Sequence, residues 1–230
     1  MAIKGKAGSR GRRRSGGAPR PVPVDVTTPL SFVPGPAHVR PEVLAAMATP
    51  RAQTMPPFEV QEATIAQIHS AMKAGRLTCR GLVEQYLRRI DTYDKNGPAI
   101  NAIVVTNADA LKQADALNQR FKSGGVTGPL HCIPMVVKDN FETIGLQSAN
   151  GSAALAGFVS DKDAFQVKKI KDAGAIVIAK TNMAEWAFSP NETVNSILPG
   201  YTRNPYALDR VTAGSSGGTA ASVAASFATA

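Results

Sequence analysis

Apolar positions between residues 58 and 122 recur at the spacing of helices that bury one face. Ile65, Ile68 and Met72 share one side of a first helix. Thr64 and Gln67 frame its start in a capping-box pattern, and Gly75 closes it. After Thr78, a second helix carries its buried stripe on Leu82, Val83, Tyr86, Leu87 and Ile90, with Arg80, Glu84, Arg88 and Arg89 facing outward. The Gly97-Pro98 breaker precedes a strand over residues 99–105. Leu111, Ala114, Leu117 and Phe121 then mark a third helix over about residues 108–122, ended by Ser123-Gly124-Gly125.

Beyond that point the pattern changes. Residues 133–137 and 175–179 are short, continuous apolar runs with β-branched members, as expected of strands buried on both faces. Between them, a helix from about Asp163 bears Phe165, Val167 and Ile170 and stops at Gly174. Strand, helix and strand in this order predict an α/β fold, a β-sheet core layered between helices. Polar residues follow each run directly: Lys138-Asp139-Asn140 and Lys180-Thr181-Asn182. Such strand ends are where sites form in sheets of this kind. A small-residue helix over residues 219–230 ends the sequence, with Ser222 and Ser226 read as close-packing positions.

Charge separates the chain into two parts. Of the net charge of +9, residues 1–40 carry +7, from eight Lys or Arg against Asp25 alone, and residues 41–230 carry +2. Residues 1–57 therefore read as a basic Gly/Pro/Arg-rich extension without the means to form a core, and residues 58–230 as the folded part. A folded part so close to neutral points away from a nucleic-acid partner. The arginines at 12–14 are not followed by the apolar segment of an export signal, and no run approaches the ~18 apolar residues of a membrane span. The expectation is a cytoplasmic protein with no membrane partner; the sequence is silent on oligomeric state. Cys79 and Cys132 form no C-x-x-C pair, and His38, His69 and His131 are scattered. Neither a metal site nor a disulfide is expected from them.

The stretch G-S-S-G-G at 214–218 admits several chemistries. No Lys follows Gly218, so it is not the phosphate-binding P-loop. It matches the G-x-S-x-G nucleophile turn with Ser216 at its centre, but that architecture needs an acid and then a histidine downstream, and residues 219–230 hold neither. A serine can also be activated by a neutral lysine whose pKa is lowered by burial. Lys138 and Lys180 occupy equivalent places after the two apolar runs, and topology alone does not choose between them.

Four stretches together decide the matter: G-P-L-H-C-I-P-M-V-V-K-D-N (128–140), G-A-I-V-I-A-K-T-N-M-A-E-W (174–186), T-R-N-P (202–205) and A-G-S-S-G-G-T-A-A-S-V-A-A (213–225). In this order they make residues from about Phe58 to Ala230 closely resemble the amidase signature family, which hydrolyses carboxamide carbon–nitrogen bonds through a Ser–cisSer–Lys triad. The resemblance implies Lys138 as base and Ser215, on a cis peptide, as bridging serine. Gly214 and Gly217 give backbone room, Ser216 adds a hydrogen bond to the lysine, and Thr181 and Asn182 order the site. Lys180 becomes structural. Trp186 and Phe188 either line the substrate pocket or pack in the core. No cofactor or metal is implied, and the partner is a small-molecule amide. The family's attacking serine lies roughly two dozen residues past the bridging serine, beyond Ala230. The expectation is thus the N-terminal part of an amidase signature domain, inactive alone. The alternatives are a protein like the A subunit of glutamyl-tRNA(Gln) amidotransferase, and a non-catalytic truncated product.

Overall fold

The computed structural model describes residues 58–188, 195–196 and 199–230; the basic extension over 1–57 lies outside the described residues. Three helices come first. In α1 (Ile65–Lys73) the capping box forms as the sequence predicts: Gln67 N donates to Thr64 Oγ1 at 3.2 Å, and Thr64 N donates to Gln67 Oε1 at 2.8 Å. Helix α2 (Cys79–Tyr93) buries Leu82, Val83, Tyr86 and Ile90, each such side chain contributing about 1.5–3 kcal/mol. Helix α3 (Ala110–Gly124) packs on α2 through Ala110 and Ala114, with Leu111, Leu117 and Phe121 against the same core.

Strand β1 (Ile103–Thr106) begins four residues later than the sequence pattern suggests. Ala99 and Asn101 adopt left-handed backbone (φ 50° and 58°), incompatible with a strand. The buried Asp94 carboxylate holds this bend, accepting from Ala102 N at 2.6 Å and Ile103 N at 3.2 Å. Strands β2 (Pro134–Lys138) and β3 (Ile176–Thr181) flank α4 (Phe165–Asp172) in the chain, as expected. Val167 of α4 is buried, but Phe165 is 72% exposed, under the Lys169 ammonium rather than in the core.

The sheet order is β1-β3-β2, with β3 antiparallel to β1 and parallel to β2. The fold is a mixed α/β sheet with helices on both faces. The main core lies between the sheet and α1–α3, and a smaller cluster of Val137, Leu146, Val167 and Val177 lies on the other face with α4. Two small ribbons follow: β4 (Asn195–Ser196) with β5 (Gly200–Tyr201), and β6 (Arg203–Asn204) with β7 (Ala207–Val211).

Helix α5 (Gly217–Ala224) is shorter than the predicted small-residue helix. Ser226 turns left-handed (φ 53°); Ser226 N donates to Val223 O and Phe227 N to Ser222 O, which closes a Schellman turn. Phe227 then inserts into the main core, and Thr229 and Ala230 hydrogen-bond to Pro134 and Val136 along the outer edge of β2.

The cysteines also depart from the sequence reading. Cys79 and Cys132, both fully buried, are joined in a disulfide with their Cα atoms 5.3 Å apart. Packing of the start of α2 beside the start of β2 brings them together, a tertiary contact that a 53-residue separation does not reveal.

Candidate active site

Lys138 and Lys180 look equivalent in the sequence, and strand register separates them. Met135 of β2 pairs with Val177 of β3, but the next residue, Val136, pairs with Ala179, so β3 carries one extra residue. After this bulge, Lys180 lies opposite Val137, on the α4 face, and Lys138 lies opposite Thr181, on the face that receives α5.

Lys180 is fully buried. Its ammonium donates to the carbonyls of Phe141 (2.8 Å) and Gln147 (3.1 Å) and to Ser148 Oγ (3.0 Å), and lies 3.8 Å from the Asp139 carboxylate. Burial pushes its pKa down to about 8, against the opposing pull of Asp139. Asp139 does not pair with Lys138: its Oδ2 accepts from Gly151 N at 3.1 Å. The pair therefore ties the 139–151 segment to the back of β3.

Lys138 is half-buried at the end of β2, and Nζ donates to Ser215 Oγ at 2.5 Å. Burial lowers its pKa below the ordinary lysine value. Ser215 precedes α5, and the Gly214–Ser215 peptide is cis. Backbone contacts hold this turn against the end of β3. Ala184 N donates to Ser215 O (3.1 Å), Gly218 N to Asn182 O (3.1 Å), and Asn182 N to Ala102 O (2.7 Å). At Gly218 a Cβ would overlap Asn182 N and O and Ala102 O, so only glycine permits this approach. Gly217 is buried beside it, whereas Gly214 is exposed.

Thr181 Oγ1 meets Thr219 Oγ1 at 2.6 Å, linking β3 to α5 on the Lys138 face. Asn182 Nδ2 donates to Gly200 O and Thr202 Oγ1, both at 2.8 Å, and its Oδ1 accepts from Met183 N. Ser216 occupies the exposed N-cap of α5 without a side-chain capping bond; the hydrogen bond of Lys138 goes to Ser215.

Trp186 and Phe188 are 54% and 76% exposed, which excludes core packing. Trp186 and Ala187 have left-handed backbone (φ 55° and 59°), two residues past the Ala184 contact with Ser215. Two surface cavities, of about 390 and 450 Å3, are lined by other residues and include neither aromatic nor Lys138 and Ser215. Among the described residues, no group of three or more His, Cys, Asp or Glu could hold a metal ion.

Sequence reasoning brought Lys138, Ser215, Thr181 and Asn182 into view. It missed Thr219, whose position four residues after Ser215 on a helix start was the available signal, and the buried contacts of Asp139.

The chain as a whole is similar to known proteins. Residues 81–230 match the family model described as Amidase. The glutamyl-tRNA(Gln) amidotransferase A subunit of Alkalilimnicola ehrlichii is 42% identical over 167 residues, which is 72% of this chain and 33% of the relative. The native peptide amidase from Stenotrophomonas maltophilia shares 40% identity at a TM-score of 0.69, covering 75% of this chain and 36% of that one. An amidase family protein from Bacillus anthracis shares 30% at 0.66, covering 82% and 39%. The chain spans about a third of the length of these relatives. On the family match and the shared fold, this chain belongs to the amidase signature family of amide carbon–nitrogen hydrolases.

Proposed function

We propose that residues 58–230 supply the base and the proton relay of a Ser–cisSer–Lys amide hydrolase, with Lys138 as base and Ser215 as relay. The observation that carries this reading is the hydrogen bond from the half-buried Lys138 amine to Ser215 Oγ, made across two elements 77 residues apart. In the reaction, neutral Lys138 takes a proton through Ser215 from the hydroxyl of a third group, an attacking serine. That oxygen adds to the amide carbon, and the carbon–nitrogen bond breaks. The amine leaves with the relayed proton, and water cleaves the resulting ester. A lysine pKa below the ordinary value raises the fraction of neutral base near neutral pH.

Trp186 and Phe188 serve this site as exposed aromatic contacts for the substrate, held by the turn that also touches Ser215. Thr181, Asn182, Gly214, Ser216 and Gly217 order the turn. The substrate is a small carboxamide. The relative at 42% identity favours a second reading, ammonia release from glutamine in the manner of the amidotransferase it belongs to.

The test measures ammonia release from peptide amides and from glutamine by the protein expressed from its own gene. Ser215→Ala and Lys138→Met should each lower kcat/KM by about 100-fold or more. Rate should rise with pH through the lowered Lys138 pKa. In the 230-residue chain, a fluorophosphonate probe should label neither Ser215 nor Ser216; specific labelling at either would reverse the assigned roles.

A further inference from the structure

The far end of α5 is gripped by a side chain that the hydrophobic pattern assigned to solvent. Arg89 of α2 is half-buried, with Nε donating to Ser226 O and Nη2 to Ala225 O, both at 2.9 Å. Its guanidinium lies 5.3 Å from the Tyr93 ring centre. The Schellman turn satisfies the carbonyls of Ser222 and Val223 and leaves those of Ala225 and Ser226 for Arg89. A planar guanidinium can span two neighbouring acceptors, and its charge opposes the negative end of the helix. An ammonium is a single point and lacks that reach.

The grip matters because α5 has little freedom elsewhere. At its start, Gly218 is wedged against Asn182 and Ala102 with no space for a methyl group. Helix α5, eight residues or about 12 Å long, runs from that wedge to the Arg89 fork. Ser215 and Ser216 lie three and two residues before the wedge. A rigid rod clamped at both ends transmits any release at one end to the other.

We propose that Arg89 is a positioning residue for the candidate site: by clasping Ala225 and Ser226 it sets the axial position of α5 and so holds Ser215 against Lys138. The catalytic meaning of this clasp rests on the Lys138–Ser215 reading above; the mechanical coupling does not.

The test follows the titration of Lys138 by NMR of the chain carrying isotope-labelled lysine, with the resonance assigned from Lys138→Met. In Arg89→Met the helix end is released and water reaches the amine, so Lys138 should titrate about half a unit or more higher. Arg89→Lys keeps the charge but reaches one carbonyl, and should move Lys138 part of the way. A through-space charge effect would move it in Arg89→Met and leave it in place in Arg89→Lys. A purely stabilising role would lower the urea midpoint of both variants with Lys138 unmoved. Either result overturns the proposal, and Arg89→Lys alone decides it if Arg89→Met does not fold. Amide hydrolysis is not part of the readout. A shifted Lys138 here, with no ammonia release by the protein expressed from its own gene, would sustain the clasp and sink the proposed function.

Discussion

The disulfide yields a quantitative prediction. Replacing Cys79 and Cys132 together by Ala removes a covalent link between the start of α2 and the residue two before β2. The bond closes a loop of 53 residues. In the chain-entropy treatment, freeing a loop of that length returns about 14 cal/mol/K to the unfolded chain, or about 4 kcal/mol at 25 °C. Domains of this kind are stable by roughly 5–15 kcal/mol, so the loss takes a quarter or more of the total. The residues are fully buried, and Ala keeps the sites apolar, so solvation changes little beside this term. Urea unfolding of the oxidised parent and the double variant should show the midpoint falling by roughly 2 M, for a slope near 2 kcal/mol/M. A loss under about 1 kcal/mol would refute the loop argument. Two titratable thiols in the denatured, unreduced parent would remove its premise.

Two further outcomes follow from buried titratable groups. His131 is fully buried with Nε2 unpartnered; burial, His69 and Arg120 hold its pKa below the ordinary value. The unfolded chain therefore takes up the proton first, and stability should fall as pH drops from about 6.5, levelling only below the folded pKa; a His131→Gln variant with the same slope would contradict this. Lys180→Met strands the Asp139 carboxylate inside the protein and should cost about 3–5 kcal/mol in urea unfolding, partly restored in Lys180→Met/Asp139→Asn, with absence of restoration counting against the ion pair.

The parts of the fold read from periodicity are those in which burial follows local spacing. Helices α1–α3 and strands β2 and β3 arise from stripes and runs that stand in the sequence itself. What escaped is set by tertiary contact. The stop of α5 at Ala224 depends on Ser226 in a conformation usually marked by glycine, and on a core slot for Phe227. Arg89 reads as outward because its helix face alone is polar; α5 arrives later to cover it. For the candidate site, the residue types and their places at strand ends were visible. Which lysine meets the serine was fixed by a one-residue irregularity between paired strands that no single-strand pattern records.

That irregularity constrains how this protein can change. Side chains alternate along a strand, so a single insertion in β3 after Ala179 would reverse the facing of every position after it and bring Lys180 opposite Lys138. Lys180 would then be presented to the serine turn beside Lys138, and the carbonyls of Phe141 and Gln147 would lose their shared donor. Substitutions along β3 disturb packing one contact at a time, but one added residue exchanges a scaffold cation for a second one facing the turn. In this strand, length is under tighter constraint than identity.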